Sequence, residues 1–216
     1  IMLSNTYQMS SQASEQDLAA DPANNLYWRF NMRRLSSEEL RDSVHAVNGR
    51  LNLKMGGPSI YPVIPQEVFA GQSRPGAGWG NSSEEERARR AVYIFIKRSL
   101  VEPLMADFDF ADVDSTCPVR FVTTQPTQAL SLLNSEFMNR QATNFADFLK
   151  KKAGTDAAKQ VELGLIRATQ RRPTKTEIDR GISLIESLKA DGVPEDVALK
   201  YYCLTVFNLN EFLYLD

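Results

Sequence analysis

Six residues are best placed to do chemistry: Arg98, Asp107, Asp109, Arg120, Thr124 and Gln128. They gather two guanidinium groups, two carboxylates and two hydrogen-bonding side chains into about thirty residues of chain. Arginine forks match carboxylate or sulfate geometry. Thr124-Gln125-Pro126 leads into a helix start, where free backbone N–H groups favour an anion. The same arginines can instead ion-pair with Asp107 or Asp109 and fix a loop, and the structural role carries more weight. The run Asp107, Asp109, Asp112 and Asp114 raises the question of calcium. It lacks the glycine and the spacing of an EF-hand loop, and Phe108 and Phe110 between the acids favour turn and capping roles.

Other chemistries find less footing. His45 is the single histidine of the chain, so the common zinc sets cannot be completed. It falls on the Arg41/His45/Asn48 side of its helix, which predicts a surface or boundary position. There is no G-x-S-x-G elbow for a nucleophilic serine. Gly56-Gly57-Pro58-Ser59 is not a phosphate loop, since Pro58 has no N–H and no Lys-Ser/Thr follows. Arg74 and Trp79 lie on a Gly-rich stretch, GQSRPGAGWG, where an exposed indole could stack on a sugar or cap a partner surface. Otherwise Trp79 folds back onto the core. Cys117 and Cys203 form no C-x-x-C or C-x-x-C-H, which excludes a self-contained zinc ribbon or covalently attached haem in this segment. They could pair in an oxidising compartment or serve as two small buried hydrophobes.

The elements that must position these residues are mainly helical. Ser36-Ser37-Glu38-Glu39 is a capping-box start, and Leu40, Val44, Val47 and Leu51 come after it at helical spacing, predicting a helix over 36–50. Residues 56–83 are rich in Gly, Pro and Ser and predict a long loop, a type of segment that is usually functional or disordered. Ser83 and the acids behind it cap a short helical turn. The alternation in Ala91–Leu100 and the β-branched run Val119–Thr123 predict a small antiparallel pair of strands, about 91–99 with 119–124, and a helical turn at Glu102–Phe108 between them. With that pairing Arg98 and Arg120 fall near one sheet edge. From Pro126 onward the chain turns helical. Ser135, Asp156, Pro173-Thr174 and Pro194 open successive amphipathic helices, and residues 135–216 form a bundle. The fold class is therefore mainly α: a helical bundle with a small antiparallel β-hairpin and a long Gly/Pro-rich loop. Residues 1–134 and 135–216 are its two parts, packed as one unit.

The composition sets outer bounds. A chain of 216 residues with 43% hydrophobic and 24% charged residues can bury a sizeable core. A formal charge of −2 gives no electrostatic reason to expect nucleic acid. The short basic clusters at Arg87/Arg89/Arg90, Lys150–Lys152 and Arg171/Arg172 read as solvated faces. No apolar run is long enough to span a bilayer. Ile1–Met9 lacks the basic region and cleavage site of a signal peptide, and its opening on an apolar triplet suggests a piece of a longer protein.

Four motifs carry a family likeness. RRLSSEELRDSVHAVNGRLNLKMGGPS, RRAVYIFIKRSL, FDFADVDSTCPVRFVTTQPTQALSLLNSEF and the closing NLNEFLYLD resemble the planctomycete-type PSD-one family, a C-terminal domain of unknown function. The resemblance covers essentially the whole chain, without the family's first portion. It implies a place at the end of a large exported protein, periplasmic or at the cell surface. There such domains commonly come after a cytochrome-c-like domain, a second helical domain and sometimes a lectin-like sandwich. No cofactor is expected in this segment, and haem only in an upstream domain. No catalytic residue can be carried over. The resemblance implies a non-catalytic scaffold or interaction module, whose partners are upstream domains or another subunit, with a possible link to electron transfer. The alternative is an enzyme or binding domain acting on extracellular glycans.

Overall fold

The computed structural model describes residues 1–215; Asp216, the last residue of the expected bundle, lies outside them. Eleven α-helices stand among these residues. The first six are α1 (Glu15–Ala20), α2 (Ser37–Val47), α3 (Gln66–Ala70), α4 (Glu84–Arg87), α5 (Pro103–Asp107) and α6 (Pro126–Asn134). They are followed by α7 (Glu136–Ala153), α8 (Ala157–Thr169), α9 (Lys175–Ala190), α10 (Glu195–Phe207) and α11 (Asn210–Leu213). Two short strands, β1 (Arg33–Arg34) and β2 (Tyr214–Leu215), complete the elements. The class is mainly α, as the helical periodicity predicts. No helix among the described residues is long and apolar enough to cross a membrane.

The bundle, α7 to α10, forms where local signals are strongest. Side chains of Ser135, Asp156 and Thr174 each accept a backbone N–H of their own helix's first turn, and Thr174 with Glu177 completes a capping box. Met138, Ala142, Phe145 and Leu149 fall on one face of α7 at i, i+4, i+7 and i+11 and are fully buried. The central helix is α10, which packs on α7, α8 and α9 and is buried on most of its circumference. Phe145 of α7 stacks on Phe207 of α10 with ring centroids 5.4 Å apart. Close approach requires Gly181 on α9, because a Cβ there would lie 2.6 Å from Val161 Cγ1 and 3.0 Å from Tyr202 Cε2.

The strand pair expected at about 91–99 and 119–124 does not form. Ala91–Tyr93 is a single 3₁₀ turn, because the Asp42 carboxylate of α2 accepts the Ala91 N–H at 2.6 Å. The residues after this turn pair with the loop instead: Ile60 donates its N–H to the Tyr93 carbonyl and accepts from Phe95. Val119–Thr123 is left without a ladder. Pro118 brings no donor, and the Thr123 N–H is taken by the Asp109 carboxylate at 2.9 Å. The sheet that does exist is antiparallel and joins opposite ends of the chain, Arg33 to Leu215 and Arg34 to Tyr214. It is a clasp between distant segments rather than a hairpin. At the start of α6 the N-cap residue Gln125 donates its N–H to the Gln128 side chain at 3.3 Å.

The loop-rich part is held by buried arginines. Arg89, expected on a solvated face, is 0% exposed, and its guanidinium donates to the carbonyls of Lys54 (3.3 Å), Pro58 (3.2 Å) and Gly56. The Arg41 guanidinium donates to the carbonyls of Arg89 at 3.0 Å and of Arg87. Long irregular backbone exposes many carbonyls, and a fork with five donors collects them where a helix or strand would have paired them internally. The accompanying apolar cluster is small: Ile60, Ala91, Ile94 and Met105.

Candidate functional site

The six residues gathered from the sequence divide into three separate places. Asp109, Asp107 and Gln128 meet at the junction where α6 begins. The Asp109 carboxylate accepts from Arg34 at 2.5 Å, from the Thr123 N–H at 2.9 Å and from the Thr123 hydroxyl at 2.7 Å. Burial alone would raise its pKa, but the Thr123 bonds and the Arg34 charge outweigh it and hold the carboxyl below its usual range. Asp109 adopts φ 60°, a left-handed conformation that costs energy in a non-glycine residue and that these three bonds fix. The Gln128 amide donates to the Asp107 carbonyl at 3.1 Å and to the Thr123 hydroxyl at 3.2 Å, while the Asp107 carboxylate accepts from Ser131. Every bond in this group ties one chain segment to another, so it is a structural knot. Its partner from the rest of the protein is Arg34, not Arg98 or Arg120.

Arg120 instead forks onto Glu38 at the N-terminus of α2, at 2.6 and 2.8 Å, and lies over the Phe110 ring. Arg98 pairs with Asp114 at 2.6 Å, both side chains more than half exposed. Thr124 is exposed. Asp112 accepts from the Asp114 N–H and the Ser115 hydroxyl, the turn role expected of that acidic run. Trp79 is half-buried: its indole N–H donates to the Pro62 carbonyl at 3.1 Å and its ring meets Tyr61 and Phe95 edge-on. Arg74 is exposed on the same loop. The cysteines are unpaired, Cys117 exposed and Cys203 buried, where the lack of solvent pushes its thiol pKa well up.

Between the acidic turn and α6 the chain presents an unusual surface. Residues 114–122 are exposed without a break, and Val119, Phe121 and Val122 retain 77%, 84% and 67% of their surface. From Ser115 to Val122 no backbone N–H finds a backbone partner among the described residues. This is the stretch whose composition reads as a strand.

A second place was not foreseen. His45 is 4% exposed, not at the boundary, and lines a cavity of about 300 Å³ beneath α2. α2 packs against α7 on one side and against α5 and the Ala91–Tyr93 turn on the other, so the Arg41/His45 face is covered as well as the leucine stripe. Buried Arg41, His45 and Glu102 line one side, Arg140, Asn144 and the likewise buried Gln141 of α7 form another wall, and Arg50 and Glu84 lie exposed at the rim. Burial, helped by Arg41, Arg50 and Arg140, pulls the His45 pKa down to about 3, so the imidazole is neutral. Burial also raises the Glu102 carboxyl, which caps α5 by accepting the Met105 N–H at 2.9 Å. Among the described residues neither ring nitrogen of His45, nor Nε of Arg41, has a hydrogen-bond partner. The spacing of Arg41 and His45, one helical turn apart, is the sole local sign of this site. Its other members come from distant segments.

A helical-bundle domain with an arginine-bound loop half, a polar cavity and an exposed strand-like segment is thus the class defined by fold and site. Residues 1–185 match the family described as PSD1, protein of unknown function (DUF1553), and the chain belongs to that family. No curated protein and no solved structure matches it.

Proposed function

We propose that the domain is a non-catalytic docking module of a larger exported protein, joined to a neighbouring domain or subunit through residues 115–122. The observation that carries this is the mismatch at Val119–Val122: a run with strand composition, three large apolar side chains in solvent, and backbone N–H groups without a backbone partner among the described residues. An unpaired, apolar stretch of that kind is a template for strand addition, in which the partner supplies the missing ladder. Arg120 is anchored to Glu38, so the run is tethered to the body while its neighbours project. The family resemblance supplies the exported setting and the kind of neighbour, a cytochrome-c-like domain among them.

Hydrogen exchange on the parent protein and on this 216-residue chain tests the reading. The amides of Arg120, Phe121 and Val122 should exchange rapidly in the isolated chain and be protected by at least about tenfold in the parent. Equal, rapid exchange in both would remove it.

A further inference from the structure

We infer that the cavity beneath α2 is a binding site for a small hydroxy-carboxylate. Four arginines, Arg41, Arg50, Arg87 and Arg140, face two glutamates, Glu84 and Glu102, across a space of about 300 Å³, the lower end of the range of small-molecule sites. Three of those arginines already have partners: Arg50 pairs within the lining with Glu84 at 2.8 Å, Arg87 donates to Asn81, and Arg41 donates to two backbone carbonyls. Arg140 has only a 4.0 Å contact with exposed Glu136 among the described residues, and supplies the spare positive charge at the wall.

Deeper in, Arg41 Nε and both nitrogens of His45 are buried without partners among the described residues. Buried polar atoms are seldom left unpaired, so a ligand that reaches these has hydrogen bonds to gain. Their chemistry specifies the ligand. The Arg140 guanidinium and the free Nε–H of Arg41 call for an anion, and a neutral imidazole presents a donor on one side and an acceptor on the other, so a hydroxyl group, itself both donor and acceptor, can pair with whichever nitrogen it meets. Pro62, Val63, Ala88 and Phe137 complete the lining, so a carbon skeleton has a wall to lie on, whereas bare sulfate would leave it wet. The assignment is independent of the docking reading, since the cavity and residues 115–122 share no residue.

His45 is the chain's one histidine, so its imidazole signals in ¹⁵N-histidine-labelled protein report on the site alone. Lactate or glucuronate should shift those signals saturably. Arg140→Gln, at a helix position 36% exposed, should keep the helical circular dichroism and weaken binding about tenfold. Propionate, which lacks the hydroxyl, and sulfate, which lacks the carbon, should shift them far less. No saturable shift with either hydroxy-carboxylate, an equal response to propionate or sulfate, or an undiminished affinity in Arg140→Gln would each overturn the assignment.

Discussion

In the bundle of α7 to α10 the buried side chains are apolar apart from Gln141 and Gln160, and α7, α8 and α9 begin on their own capping side chains. In the half that precedes it, guanidinium groups occupy the centre: Arg34, Arg41 and Arg89 are all buried, and chain carbonyls converge on two of them. The first region is built by area, since apolar burial is non-directional and each methylene adds a little. The second is built by direction, since each arginine fixes several named carbonyls and no regular element could do so for a Gly- and Pro-rich loop. A directional core holds its shape only while each donor is present, and it can leave polar groups unspent, as at His45. That is why the unpaired polar groups of the candidate ligand site, Arg41 and His45, come from that half, while α7 supplies the facing wall.

The sharpest way to break this contrast is to remove one anchor from each region. Phe145→Ala should cost about 3–5 kcal/mol by leaving a cavity in the bundle. Arg89→Ala should cost a similar 3–5 kcal/mol, because it strands the carbonyls of Lys54, Gly56 and Pro58. Denaturant curves measure both, and limited proteolysis separates them. The Arg89 variant should be cut within 53–60 while the bundle persists. Uniform loosening of both halves, or no new cleavage, would erase the distinction.

Acid should act on the arginine-held half with a signature of its own. His45 is held near pKa 3 against 6.5 in an unfolded chain, so its contribution is whole above pH 6.5 and is lost as the pH falls towards 3. The slope is at most about 1.4 kcal/mol per pH unit. Arg41, Arg50, Arg140, Glu84 and Glu102 also line the cavity, and the raised Glu102 works with the opposite sign, since its share is lost as the pH rises. Subtracting the stability profile of His45→Phe from that of the parent chain isolates the imidazole. A difference that stays flat between pH 6.5 and 4.5 would mean the ring is hydrated rather than sealed.

How much of this could be read beforehand followed the same division. The capping residues Ser36, Ser135, Asp156 and Thr174, and the stripe Phe145/Leu149, are local patterns with helical spacing, and the helices stand where those patterns put them. Arg89 could not be read, because in ERARRAV an arginine looks like any solvated charge and only the returning loop makes it central. The supposed strands failed for a related reason: β propensity states a willingness to pair, and the partner is decided by which backbone arrives. Asp109 was drawn to the right neighbourhood by its motif, yet its cation, Arg34, lies far back along the chain. The cavity escaped notice because Arg41, Glu102 and Arg140 share no spacing.

The two-residue clasp of Arg33–Arg34 with Tyr214–Leu215 bears on the order in which the molecule assembles. Contacts within the bundle join segments near in sequence and can form early, whereas this pairing must close nearly the whole chain into a ring before any of its hydrogen bonds is gained. It should therefore be a late event in folding, with the Leu35 N–H, bonded to the Leu213 carbonyl at 2.8 Å, among the last amides protected after refolding begins. Pulse labelling that found it protected as early as the α7 amides would assign the clasp to the nucleus instead.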